Sequence, residues 1–191
     1  FDRSAELPTG GRIDQSDGTS WMAAYCLQML RISIELSRDT ACYQDAATKF
    51  FEHFLRIANA MTNVGGDGFS LWDEEDGFFY DYLHLPDLTT HKLAVRSLVG
   101  LLPLFAVETI EQEELDRMPD FARRMDWFIR HRPHLVGNMA GINIPGVGER
   151  KIFALLTRER LARVLHRMLD ENEFLSPYGI RSISKIGRAH V

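Results

Sequence analysis

The chain has 191 residues, of which 45% are hydrophobic and 26% charged, a balance typical of one globular domain with a sizeable core. Its formal net charge of −5 argues against nucleic acid as the main partner, because phosphate-binding surfaces are basic. No run approaches the roughly 20 apolar residues that a membrane helix needs, so we expect no membrane segment.

The first two predicted helices distribute their apolar residues differently. Residues 1–19 are rich in Gly, Pro, Asp and Ser and predict a loop, which leads into a helix over residues 20–37. That helix is apolar on almost every side, so we expect nearly all of it to be buried. The next helix, over residues 41–62, has one polar and one apolar stripe and is typical of an amphipathic surface helix. Its predicted inward residues are Phe50, Phe51, Phe54, Leu55, Ala58 and Met61.

Glycines and an alternating aromatic run over residues 78–83 predict a loop with a β-hairpin over residues 63–87. Gly77 follows Glu-Glu-Asp and is expected at positive φ in the turn. A third helix, apolar nearly all round, is predicted over residues 93–109, kinked or divided by Pro103. An amphipathic fourth helix is predicted over residues 112–131, with an inward face formed by Leu115, Met118, Phe121, Ala122, Met125 and Phe128. A Gly/Pro-rich loop over residues 137–148 then precedes a fifth helix over residues 157–169 with Thr157 as its cap.

Buried and exposed helices alternate along the predicted chain, which suggests two concentric layers. We therefore predict an all-α fold, a partial (α/α)6 barrel of inner and outer helices with a short β-hairpin insertion. Five helices cannot close a twelve-helix barrel. The chain on its own is expected to leave an inner helix face unpaired.

Polar and aromatic residues cluster where the first helix begins: Asp14, Gln15, Asp17 and Trp21. Groups that hydrogen-bond hydroxyls beside an aromatic platform suit sugar recognition. The structural alternative is that Asp17 caps the helix while Trp21 packs in the core. Both interpretations are open at this point.

The acidic turn of the predicted hairpin is a second candidate site. Paired carboxylates carry out glycoside hydrolysis, but an ordinary hairpin turn is the better explanation of Glu74, Glu75 and Asp76. Trp72 and Asp81 flank that turn and are better candidates to contact a ligand or the backbone of the hairpin.

A third polar and aromatic loop lies near the end of the chain. Tyr178 and Arg181 could bind a hydroxyl or a carboxylate, or could be structural parts of a Pro-Tyr-Gly turn. The basic residues of the predicted fifth helix are interleaved with acids and predict a solvated helix face. They are Arg158, Arg160, Arg163 and Arg167.

No pattern in the sequence predicts a metal or a cofactor. His131 and His134 have no further ligands nearby, and the chain has neither a phosphate-binding glycine motif nor a nucleophile elbow. Cys26 and Cys42 do not form a disulfide framework, which favours a reducing compartment and a cytoplasmic location.

Several contiguous blocks carry a resemblance: FDRSAELPTGG, DQSDGTSWMAAYCLQML, LWDEEDGFFYDYLHLPD, VRSLVGLLPLFAVETI and EFLSPYGIRSIS. Together they resemble bacterial proteins related to glycoside hydrolase family 63, the mannosyl-oligosaccharide-glucosidase-like enzymes, over about residues 1–185. The resemblance implies an (α/α)6 barrel catalytic domain that hydrolyses α-linked glucosyl or mannosyl residues of oligosaccharides with inversion. One carboxylic acid would protonate the leaving oxygen and one carboxylate would activate water.

The resemblance places the acid before Phe1 and the base after Lys185, so the chain is expected to be an internal fragment that is inactive alone. Its expected contribution is a wall of the sugar pocket. The residues of that wall would be Asp14, Gln15, Asp17 and Trp21, with Trp72, Tyr178 and Arg181.

Residues 186–191 depart from the family pattern and match translated sequencing-adapter DNA, so we expect a non-native tail there. Two alternatives to the glycosidase fragment are a non-catalytic helical-repeat binding module and another (α/α)-barrel enzyme such as a trehalase-like hydrolase. The absence of a repeat at a fixed period argues against the first.

Overall fold

The computed structural model describes residues 5, 7, 8, 10–63, 69–137, 139 and 146–188. The predicted loops over residues 1–19, 63–87 and 137–148 lie partly outside the described residues, as does the end of the predicted tail. Helix accounts for 51% and strand for 21% of the structure, so the fold is mixed α/β.

Groups of consecutive helices and groups of short strands follow one another along the described residues. The α-helices are α1 (Ser16–Leu36), α2 (Tyr43–Thr62), α3 (Gln112–Arg117), α4 (Pro119–His131), α5 (Pro133–Val136) and α6 (Arg158–Met168). Two 3-10 segments cover Leu98–Phe105 and Val147–Glu149. The strands are β1 (Arg12–Asp14), β2 (Trp72–Asp73), β3 (Phe78–Phe79), β4 (Asp81–His84), β5 (Thr90–Leu93), β6 (Val95–Ser97), β7 (Val107–Ile110), β8 (Lys151–Ala154), β9 (Leu175–Ser176), β10 (Gly179–Ile180) and β11 (Ile183–Arg188).

The predicted all-α, partial (α/α)6 barrel is wrong, because antiparallel sheets join distant parts of the chain. One sheet has the strand order β1-β4-β5, and the strand pairs β2-β3, β6-β11, β7-β8 and β9-β10 form separate ribbons. The predicted hairpin at β2-β3 is present, and Gly77 has φ of 62° in its turn. The two alternative functions, a helical-repeat binding module and a trehalase-like hydrolase, stay predictions, but the all-α architecture expected for them is not the one observed.

The predicted third helix over residues 93–109 is also wrong. Its ends are the strands β6 and β7, which pair with β11 and β8 from much later in the chain. Between them lies the 3-10 segment that contains Pro103, a residue that cannot donate a backbone hydrogen bond. A Cβ at Gly100 would overlap the Phe78 ring and the Phe79 carbonyl, so this segment approaches β3 closely. Strand partners so far away cannot be read from local periodicity.

The predicted inner faces of the second and fourth helices are confirmed. In α2, Phe51 is fully buried and its ring contacts the rings of Phe121, Phe128 and Phe153 at centroid distances of 5.5–6.2 Å. Pro119 begins α4 and separates it from α3, so the single predicted helix is two helices. The fifth predicted helix is α6, where the Thr157 hydroxyl accepts from the Arg160 N–H as predicted.

Helix α1 begins at Ser16, four residues before the predicted start. Asp81 of β4 explains the early start, because its Oδ1 accepts the Ser16 N–H at 2.8 Å across 65 residues of chain. Only one side of α1 is buried, so the expectation of nearly complete burial is wrong. The buried apolar residues on that side are Ala23, Ala24, Leu27, Leu30 and Ile34.

Within the described residues, no helix combines the length and the apolar character that crossing a membrane requires.

Candidate functional site

An open groove of about 790 Å³ lies between α1 and α2. Its floor and sides are mainly apolar, and its polar lining is concentrated where β1 passes into α1. The groove is lined by Ile13, Asp14, Gln15, Gly18, Thr19, Met22, Tyr25, Cys26, Met29, Phe50, His53, Ile57, Ala60 and Leu71. A groove of this size with a few convergent polar groups is a candidate ligand site.

The sheet β1-β4-β5 positions the acidic residue of the groove. Asp14 pairs in register with Tyr82, and the Asp14 Oδ2 lies 2.6 Å from the His84 Nε2. The other ring nitrogen of His84, Nδ1, lies 3.0 Å from the Thr90 hydroxyl. A carboxylate can only accept, so Nε2 carries the proton to Asp14, and in the neutral ring Nδ1 accepts from Thr90. Both nitrogens of His84 therefore have hydrogen-bond partners.

The first turn of α1 supplies the other polar groups. The Gln15 side chain lies over Gly18, since a Cβ placed there would be 3.3 Å from the Gln15 Oε1. The Thr19 hydroxyl donates to the Gln15 carbonyl at 2.6 Å, which leaves its oxygen able to accept from a ligand. Gln15 offers both an acceptor and donors through its amide. Together these groups can bind hydroxyls.

The groove alone has no acid and base pair. Asp14 is the one carboxylate among the described residues that line it, and glycoside hydrolysis by inversion needs two carboxylates on opposite sides of the sugar. Cys26 also lines the groove, but burial raises the pKa of its thiol, so it is a poor nucleophile at neutral pH.

Of the four site residues proposed at the start of the first helix, two line the groove and two do not. Asp14 and Gln15 line the groove, whereas Asp17 and Trp21 do not. The Asp17 Oδ1 accepts the Gly18 N–H at 2.9 Å within the first turn of α1. Trp21 is only half-buried and its ring lies 5.8 Å from the ring of Phe105, so it is not the core residue of the structural alternative.

Trp72 lies elsewhere, buried beneath α6. The guanidinium carbons of Arg160 and Arg163 lie 5.2 and 5.4 Å from its ring centroid, and both side chains also bind Glu74. Cation–π contacts of this kind stabilise the hairpin against α6. Trp72 therefore has no ring face open to a ligand.

A cluster of charged residues surrounds the buried Arg96 and joins the tip of the β2-β3 hairpin to α6. The Arg96 guanidinium donates to Asp76 at 2.6 Å, to Glu173 at 3.0 Å and to the Tyr80 hydroxyl at 3.2 Å. Burial, together with the Asp76 carboxylate, raises the pKa of Tyr80 to about 12 despite the opposing effect of Arg96. We call this set the Arg96 cluster; its members are Asp73, Asp76, Tyr80, Lys92, Arg96, Arg167 and Glu173.

The Arg96 cluster corrects the prediction of a solvated basic face on α6. Arg167 donates to Glu173 at 2.6 Å and to the Asp76 carbonyl at 2.7 Å, and Arg160 and Arg163 bind the hairpin. Three of the four arginines thus make structural contacts with the hairpin. Asp76 is more than a turn residue, because it anchors Arg96.

Tyr178 and Arg181 belong to the β9-β10 region and do not line the groove. Tyr178 is fully exposed. Arg181 donates to the backbone carbonyls of Glu171, Glu173 and Leu175, which fits the structural interpretation of this loop. Their proposed part in sugar binding stays a prediction.

Three residues in or beside the groove were not singled out as site residues from the sequence: His84, His53 and Thr19. His84 reaches Asp14 only because β4 pairs with β1, and that register is not visible in the sequence. His53 lies on the polar stripe of α2 that the 3.6-residue periodicity did reveal. The described residues contain no group of three or more His, Cys, Asp or Glu side chains arranged to hold a metal.

No known protein family profile matches the chain. It is similar to "Uncharacterized protein YMR196W" of Saccharomyces cerevisiae (strain ATCC 204508 / S288c), with 46% identity over 204 aligned residues. The alignment covers 100% of this chain and 18% of the yeast protein, so the chain spans less than a fifth of the length of this relative. This relative is a yeast protein, and the resemblance to bacterial family 63-related proteins stays a prediction.

Proposed function

We propose that the chain contributes a carbohydrate-binding wall to a larger glycoside hydrolase, as its resemblance to family 63-related proteins implies. The observation that carries the proposal is the convergence of Asp14, Gln15 and Thr19 on one groove with the aromatic ring of Tyr25. Carboxylate, amide and hydroxyl oxygens bind sugar hydroxyls, and an aromatic face packs against the C–H groups of a sugar ring.

Chemistry would need carboxylates from outside these residues. The groove offers one carboxylate, and that one is held by His84, so a proton donor and a base must come from other segments of the parent protein. The substrate would be an oligosaccharide with α-linked glucosyl or mannosyl residues. The family resemblance, the hydrolytic activity and the cytoplasmic location stay predictions.

Titration of α-linked disaccharides into the purified chain, followed by nuclear magnetic resonance, tests the binding role. We expect shifts confined to the groove, and we expect Gln15→Ala to weaken binding about fivefold, the effect of one lost hydrogen bond of about 1 kcal/mol. Gln28→Ala is the matched control, because Gln28 is exposed on the same helix outside the groove. Equal weakening by both variants would contradict the proposal.

A non-catalytic carbohydrate-binding role is the second candidate, and the single hydrogen-bonded carboxylate of the groove favours it. Assay of the full-length parent distinguishes the two. A hydrolase should release a sugar of inverted anomeric configuration, whereas a binding protein should release none. Turnover by the 191 residues alone would show that the acid and base were wrongly placed outside them.

A further inference from the structure

A row of exposed apolar residues runs along α1 on the side away from its buried face. Met22, Tyr25, Met29, Ile32 and Leu36 follow one another at spacings of three, four, three and four, and each is 40–55% exposed. We call this row the α1 seam. Its spacing is the heptad pattern by which one helix packs along another at a shallow crossing angle.

The α1 seam is part of a larger apolar surface. Trp21 and Phe105 flank it, are themselves 44% and 55% exposed, and hold each other in ring contact. The three aromatic side chains, Trp21, Tyr25 and Phe105, are about half exposed and at about 150–250 Å² each present on the order of 300 Å² of surface. The Met, Ile and Leu side chains add to this, so the surface is comparable to the largest apolar patch of a typical monomer, about 300–600 Å², which is often functional.

Two charged residues of α1 are next to seam residues in sequence, and both have partners. Glu35 pairs with Arg38 at 2.8 Å just after the helix. Arg31 donates to Glu114 at 2.6 Å and to Glu108 at 3.2 Å, so it ties α1 to α3 and β7. The α1 seam itself contains no charged residue. An uncharged seam with heptad spacing fits an apolar helix face better than it fits a polar or charged partner.

We propose that an amphipathic helix of the same parent polypeptide, outside these 191 residues, packs along the α1 seam. The yeast relative supports this occupant, because the region similar to this chain is only 18% of that protein and much additional polypeptide is present there. The inference does not rest on the proposed carbohydrate role, but the two share Met22, Tyr25 and Met29, so a helix along the whole seam would cover part of the groove. Ile32 and Leu36 lie beyond the groove lining, so they report on the seam alone.

Photocrosslinking in the full-length parent tests the occupant. With p-benzoylphenylalanine in place of Ile32, we expect an intramolecular crosslink to a helical segment outside residues 1–191. The same amino acid in place of Arg56, which is exposed on the polar stripe of α2, is the matched control and should give no such crosslink. Crosslinked dimers would show a second copy on the seam and overturn the proposal. Absence of a crosslink, or a coding sequence that ends with this chain, would also overturn it.

A pair of variants supplies a second measurement. Ile32→Lys and Leu36→Lys should leave the melting temperature of the isolated chain nearly unchanged and lower that of the parent by several degrees. Disaccharide binding by the isolated variants should be retained, which separates this inference from the proposed function. Equal melting temperatures for the parent and its lysine variants would overturn the proposal.

Discussion

The Arg96 cluster and the α1 seam are opposite in character. In the Arg96 cluster charged groups are buried and Arg96 itself has three hydrogen-bonding partners. Along the α1 seam apolar side chains are 40–55% exposed to water. The charged groups of the Arg96 cluster find their partners within this chain, whereas on our proposal the α1 seam packs against another segment of the parent polypeptide. The Arg96 cluster therefore stabilises the chain itself, and the α1 seam is a surface for contact with the rest of the parent.

The largest expected effect on stability comes from a substitution in the Arg96 cluster. Arg96→Met would remove the buried cation between Asp76 and Glu173, and because Glu173 keeps its ion pair with Arg167 we expect a loss of about 3 kcal/mol in unfolding free energy. Urea denaturation followed by circular dichroism measures it. Arg123→Ala is the control, because its ion pair with Asp120 is exposed and should contribute no more than about 0.5 kcal/mol. Similar losses for the two variants would remove the distinction between buried and exposed charge.

A smaller effect is expected at the start of the helix that carries the seam. Asp81→Ala removes the acceptor of the Ser16 N–H and should lower the unfolding free energy by about 1 kcal/mol, the usual effect of a lost helix cap. Hydrogen exchange should be faster at the first amides of α1 while the amides of α6 are unaffected. Asp39→Ala, at an exposed position after α1, is the control. Unchanged exchange at Ser16 would show that the contact does not stabilise the helix end.

The smallest effect concerns the rim of the Arg96 cluster and depends on pH. Burial alone would raise the pKa of Asp73, but the Asp76 N–H at 2.7 Å and the Lys92 ammonium at 2.6 Å outweigh burial and lower that pKa. A lowered pKa in the folded state means that the carboxylate stabilises the fold above its ordinary pKa of about 3.9, and that this contribution is lost as the pH falls below it.

Asp73→Asn should therefore be less stable than the unaltered chain at pH 7 and nearly as stable near pH 2. Urea midpoints measured at both pH values test the sign. Asp39→Asn serves as the comparison for a general charge effect. A difference that grows as the pH falls would contradict the assignment of Asp73 to a stabilising ion pair.

Local periodicity predicted the elements whose partners are close in the chain. The inner faces of α2 and α4, the Thr157 cap and the turn at Gly77 all depend on residues a few positions apart. The region over residues 93–109 failed because β6 and β7 find their partners far along the chain. An apolar run with β-branched residues at its ends fits a helix or two strands equally well until those partners are known.

In the candidate site, too, only residues that are close together in the sequence could be predicted. Asp14 and Gln15 were found because the polar run at the start of α1 is contiguous in sequence. The bond from His84 to Asp14 depends on strand register, and the burial of Trp72 depends on two arginines about 90 residues away. Neither the register nor the arginine contacts leave a local pattern in the sequence.

The pairing of β6 with β11 has a consequence for the order of folding. Ser97 lies opposite Ile183, so this ribbon forms only after a loop of about 86 residues closes, whereas α1 and α2 are joined by the short segment 37–42. We expect the α1-α2 hairpin to form before the transition state and the β6-β11 ribbon after it. In stopped-flow experiments, substitutions in the ribbon should then accelerate unfolding while leaving the refolding rate nearly constant.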